Sequence, residues 1–176
     1  MRSFFVVAVA VLAGFLLSPL LRADAACTPG TAPPAGPAPA LRKFSDEQLE
    51  NARVIVTVGT ERQVPRQGLV IAVATALQES RLRNLSYGDR DSVGLFQQRP
   101  SQGWGTPEQL SDPAYQAREF YDKLLTIDGW SRMRLTEAAQ AVQVSAYPEA
   151  YSKHTRAATT LVDALSGPEP ACAPAS

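Results

Sequence analysis

Histidine is almost missing from this chain, and so is any excess of charge: there is one His, and 17 Lys and Arg are balanced by 17 Asp and Glu over 176 residues. A balanced chain offers no electrostatic reason for nucleic acid or an anionic membrane to be its main partner, because both are bound through clustered Lys and Arg. One His and two Cys cannot build a His/Cys zinc site, and no H-E-x-x-H pattern occurs. There is no G-x-S-x-G elbow and no Gly-rich phosphate loop. Asp89-Arg90-Asp91 resembles the start of a calcium loop, but the third ligand position is Val93 and the twelfth is Pro100, which leaves solvated turn aspartates. No metal and no cofactor is therefore expected. The chain is also too short for two full cores.

Its 14 prolines and its apolar residues are unevenly placed. Arg2 supplies a positive start, Phe4 to Leu17 is an uncharged apolar run, and Ala23-Asp24-Ala25 has the small-x-small form of a signal-peptidase site. Residues 1–25 read as a secretory signal. The alternative is an uncleaved membrane anchor, since Phe4 to Leu21 is 18 residues without a charge and a bilayer needs roughly 20. Pro19 and the Ala-Asp-Ala tripeptide favour cleavage, and Asp24, three residues before Cys27, disfavours lipid attachment. Residues 26–40 hold five prolines among alanines, a composition suited to an extended linker rather than a core. Residues 167–176 repeat that composition as a tail, leaving 41–166 as the folded domain. Cys27 and Cys172 flank it, and export would place them in an oxidising compartment. A disulfide joining the two ends is the expectation, with free thiols or intermolecular pairing as the alternatives. The chain-entropy model gives closure of so long a loop about 5 kcal/mol.

Within the domain the apolar spacing is helical. Ser45-Asp46-Glu47-Gln48 has the form of a capping box, with Leu49, Ala52 and Val56 following on one face. The β-branched run Val54 to Val58 is expected to be part of this helix, with a strand as the alternative. A second helix is expected to take Pro65 as its first residue and to carry Leu69, Val73, Ala76, Leu77 and Ser80 along one stripe. A long loop follows from Asn84 to Gly105. Asp112-Pro113 opens a third helix, Thr136 a fourth that runs to Pro148, and Glu149 to Leu165 reads as the last. The fold class is all-α, α+β at most, with no strand–helix alternation to suggest a parallel sheet. His154, alone on the last helix, reads as structural or superficial, catalysis being the alternative.

One carboxylate has an unusual setting. Glu79 closes the most apolar helix, on the side of Ala72 and Ala76, and directly precedes the long loop. Apolar neighbours and the negative end of a helix both disfavour ionisation. A carboxylic acid held protonated near neutral pH is what protonation of a glycosidic oxygen requires.

Gln78-Glu79-Ser80 is followed by Ser92-Val93-Gly94-Leu95-Phe96-Gln97-Gln98 and by Arg99-Pro100-Ser101-Gln102-Gly103-Trp104-Gly105. This combination resembles the soluble lytic transglycosylases and goose-type lysozymes, which carry an E-S pair at a helix end and a G-L-M/F-Q segment. In particular the chain is similar to actinobacterial secreted lysozyme-like domains with Q-E-S and G-L-F-Q-Q-R-P-S-Q-G-W-G. The resemblance spans roughly Pro65 to His154. It implies a compact lysozyme-like helical domain with a long active-site loop, in which Glu79 is the catalytic acid and base. It also implies that Gly94, Leu95, Phe96 and Gln97 form a strand-like segment lining the sugar cleft. Gln97 would hydrogen-bond substrate there, and Phe96 would pack on a sugar face. Trp104 is either a second aromatic platform or a plug of the core.

Two departures accompany the resemblance. The family's A-Y-N-x-G segment, whose Tyr approaches the catalytic Glu, corresponds here to Ser145-Ala146-Tyr147-Pro148-Glu149-Ala150-Tyr151. Tyr147 is the first candidate for that tyrosine and Tyr151 the substitute, and the asparagine is missing. The serine that assists the reaction in many members has no counterpart, since Gly88 falls near its place. The function implied is that of a secreted, cell-wall-associated, monomeric glycosidase cleaving peptidoglycan strands at the β-1,4 bond between N-acetylmuramic acid and N-acetylglucosamine. A hydrolytic version would need a second carboxylate, for which Asp89 and Asp91 are nearest in sequence. A lysozyme-like domain that binds wall or protein without cleaving, and an exported interaction module, are the alternatives.

Overall fold

Ser45 caps the first helix, α1 (Asp46–Glu61), through both halves of the expected box. The Ser45 hydroxyl accepts from the Gln48 backbone N–H at 3.2 Å, and the Gln48 side chain accepts from the Ser45 N–H at 2.9 Å. Two donors that the helix itself cannot satisfy are thereby paired. The computed structural model describes residues 39–144 and 148–167. Within them the fold is all-α: α1 is followed by α2 (Arg66–Glu79), α3 (Pro113–Leu125), α4 (Leu135–Gln143) and α5 (Thr155–Leu165), joined by loops and short 3-10 turns. The run Val54 to Val58 is helical, because Ile55, Val56 and Val58 find buried positions on α1 and the box upstream has already fixed the helix register.

The organising element is α2. Gly68 to Leu77 are buried without interruption, so this helix is not the one-striped amphipath its sequence suggested. It packs against α1, α3, α4 and α5 and against the 3-10 turn Pro148–His154. A helix covered on several sides is apolar all round, and Ile71 and Val73, with no exposed surface, contribute about 1.5–3 kcal/mol each by burial. Pro65 stands one position earlier than expected, as the N-cap, with ψ of 148° before the helix begins.

Where α2 ends, the chain makes two consecutive left-handed residues, Arg81 and Leu82, at φ of 56° and 59°. Neither is glycine, and each such residue costs of the order of 1–2 kcal/mol. The conformation is held from outside. The Gln48 amide of α1 donates to the Arg81 carbonyl at 2.8 Å, the Asn51 amide donates to the Leu82 carbonyl at 2.9 Å, and the Leu82 side chain is fully buried.

Two expected helices are shorter than predicted. α4 stops at Gln143, with Val144 left-handed at φ 50°, rather than running to Pro148. The stretch expected to be helical from Glu149 is a 3-10 turn, Pro148–His154, and α5 begins only at Thr155. The change of winding turns Tyr151 fully into the core, against α2. The signal, most of the linker, both cysteines with their expected disulfide, Tyr147 and most of the tail lie outside the described residues, while Pro39 and Ala40 of the expected linker belong to a short 3-10 turn, Pro39–Leu41. Among the described residues no helix is long and apolar enough to cross a membrane.

Candidate active site

Glu79 is the last residue of α2 and is half-buried. It lines a cleft of about 500 Å³ together with Asp89, Arg90, Gln97, Arg99, Trp104 and Gln143. One carboxylate oxygen, Oε1, accepts a hydrogen bond of 2.9 Å from the Tyr151 hydroxyl. Burial pushes the Glu79 carboxyl above its ordinary range, and the Tyr151 hydrogen bond partly offsets this by favouring the ionised form. The balance suits a group that must hold a proton and then survive its loss.

Ser80, the other half of the Glu-Ser pair, faces away from the cleft. Its buried hydroxyl donates to the Leu95 carbonyl at 2.8 Å, which ties the end of α2 to the glycine-led loop. That loop is not strand-like. Val93 and Gln98 exchange two backbone hydrogen bonds of 3.0 Å as an isolated bridge, and Gly94 to Gln97 form the tight turn between them. Gly94 has φ of 80°, and a Cβ there would collide with the Gln116 side chain. Gln116 of α3 is fully buried and holds this turn together. Its carbonyl oxygen accepts from the Leu95 N–H, and its amide donates to Asn84 and to the Leu110 carbonyl, each at 2.9 Å. Sequence reasoning missed Gln116. A glutamine among Ala117, Phe120 and Tyr121 at the start of an otherwise apolar helix face was the signal available.

Phe96 lines the cleft but presents little surface to it. It is 1% exposed, and its ring stacks on Phe120 with centroids 4.7 Å apart, so it anchors the loop in the core. Leu95 is likewise fully buried. Gln97, half-buried on the cleft wall at φ 49°, donates from its amide to the Gly94 carbonyl at 3.1 Å and to the Tyr87 carbonyl at 3.4 Å. Trp104 is partly buried against the core and also lines the cleft. No family model matches the chain, and no curated protein matches it. The arrangement must therefore be read from its own chemistry.

The two aspartates behave differently. Asp91 is consumed by the loop: Arg99 donates to one oxygen at 2.7 Å and the Ser101 N–H to the other at 2.8 Å. The Ser101 amide and the Arg99 guanidinium hold this carboxyl far below the usual carboxylate range. Asp89 lines the same cleft as Glu79 and is largely exposed. His154 is half-buried, its ring Nε2 3.1 Å from the Gln78 side-chain oxygen, and desolvation lowers its pKa. It braces the turn that carries Tyr151 against the end of α2. Among the described residues no group of three or more His, Cys, Asp or Glu side chains could hold a metal.

Proposed function

We propose that this chain is a secreted peptidoglycan-cleaving glycosidase, a lytic transglycosylase or muramidase, acting through Glu79. The observation that carries the reading is the half-buried Glu79, its carboxyl raised in pKa, opening on a cleft while Tyr151 hydrogen-bonds one of its oxygens. In the first step Glu79 protonates the glycosidic oxygen between N-acetylmuramic acid and N-acetylglucosamine, and the C–O bond breaks. The resulting carboxylate is supported by the Tyr151 hydroxyl. In the second step that carboxylate removes a proton from the attacking oxygen. If this oxygen is the substrate's own 6-hydroxyl, an anhydro sugar results; if it is water, the product has a reducing end. The substrate's acetamido oxygen can stabilise the cationic centre between the steps, so no second carboxylate is required. Gln97 and Trp104 supply amide and aromatic surface on the cleft wall. No cofactor enters this chemistry.

The test is release of soluble muropeptides from purified peptidoglycan by the protein and by Glu79→Gln. Loss of a positioned general acid should cost at least about 10²–10⁴-fold. Release by the unaltered protein alone supports the reading, and mass spectrometry then separates anhydro from reducing products. If both proteins bind the wall and neither releases anything, the domain is a wall-binding module.

A further inference from the structure

Tyr151 and His154 stand three residues apart on one 3-10 turn, Pro148–His154. Such a turn closes in three residues, so their side chains leave from the same face. They meet two consecutive residues at the end of α2, against which the turn packs. The Tyr151 hydroxyl donates to Glu79 Oε1 at 2.9 Å, and His154 Nε2 lies 3.1 Å from the Gln78 side-chain oxygen. One such bond would act as a pivot, whereas two fix both the slide and the rotation of the turn along α2. An amide oxygen only accepts, so His154 carries a proton on Nε2 when neutral and keeps it as an imidazolium. The bond to Gln78 is therefore independent of the charge on the ring. Lys153 is the charged group that acts on His154, and Asp89, Arg90 and Arg99 are those that line the cleft with Glu79.

We propose that His154 is a positioning residue for the acid: by holding Gln78 it sets the turn where the Tyr151 hydroxyl reaches Glu79 Oε1. A slide of about 1 Å would carry that bond from 2.9 Å beyond hydrogen-bonding range. The inference deepens the role proposed for Glu79 and rests on that reading for its catalytic meaning.

The test follows the titration of Glu79 in the protein by carbon-13 NMR of the side-chain carboxyls, with Glu79→Gln identifying its signal. Tyr151→Phe should raise the midpoint, because it removes the bond directly. His154→Leu should raise it by about half as much or more, and should move it no further when added to Tyr151→Phe. His154→Gln, whose amide donates to Gln78 without ever carrying charge, should restore the unaltered midpoint. Gln78→Ala removes the same bond from the helix side and should match His154→Leu, which keeps the test decisive if the Leu variant does not fold. In muropeptide release His154→Leu should lower kcat and leave KM within about twofold. A midpoint that neither His154→Leu nor Gln78→Ala moves overturns the proposal. So does a His154→Leu shift of equal size with Tyr151 and with Phe at 151, since His154 would then act by its own charge and not through the tyrosine. The titrations need no substrate: a chain that releases no muropeptide overturns the glycan reading, and the midpoints still decide this one.

Discussion

Replacing Tyr151 by Phe removes the hydroxyl that donates to Glu79 Oε1 while keeping the buried ring in place. A hydrogen bond to a neutral partner contributes about 0.5–1.5 kcal/mol and one to a charged partner about 1.5–3 kcal/mol. Glu79 is only half-buried and opens on the cleft, so about 1–2 kcal/mol is the appropriate range for the ionised pair. The cost of Tyr151→Phe should therefore depend on pH. At acid pH, where Glu79 is protonated in both states, it should be small, and it should grow as pH rises through the folded-state pKa of Glu79. The same substitution removes an interaction that favours the carboxylate, so the Glu79 pKa should rise further. The assay is urea denaturation of the protein, Tyr151→Phe, Glu79→Leu and the double variant, at acid and at neutral pH. The double-mutant cycle should give a coupling of about 1 kcal/mol or more at neutral pH and less at acid pH. A Tyr151→Phe cost that is independent of pH and unchanged in the Glu79→Leu background would refute the reasoning.

Glu79→Gln should raise the melting temperature at neutral pH. A carboxyl whose folded pKa is raised contributes its stability below the unfolded pKa and loses it as pH rises through the folded one, so the gain from Gln should vanish in acid; a calorimetric scan at each pH checks it. Phe96→Ala should destabilise by about 3–5 kcal/mol in denaturant titration, as expected of a buried stacked ring and not of a sugar platform. A Cβ at Gly88 would overlap the Gln97 side-chain oxygen and approach the Ser92 carbonyl to 2.7 Å. Gly88→Ala should therefore weaken glycan binding about as much as Gln97→Ala does, with little further loss in the double variant, as read by calorimetric titration.

The first three helix starts were legible in the sequence because each is written locally. Ser45 and Gln48 need only each other, and Pro65 and Asp112-Pro113 act within a turn of where they stand. The place of Glu79 at the close of an apolar helix was legible for a related reason, while a role for it as an acid was implied by the resemblance of the Glu79-Ser80 and Gly94 to Gln97 segments. What sequence alone could not decide was which side chains face inward. Phe96 and Gln97 are neighbours in a loop, and only the stacking of Phe96 on Phe120, 24 positions away, sends the aromatic to the core and leaves the amide on the cleft. Gln116 lies 21 residues from the Leu95 amide it satisfies, and Tyr151 lies 72 residues from Glu79. The left-handed pair Arg81 and Leu82 carries no glycine to announce it and exists because Gln48 and Asn51 reach across from α1. Local hydrogen bonding and periodicity determined the helices and the place of Glu79 at the end of one. The surroundings of Glu79 were decided by long-range packing around α2, whose energies accrue only after distant segments have met.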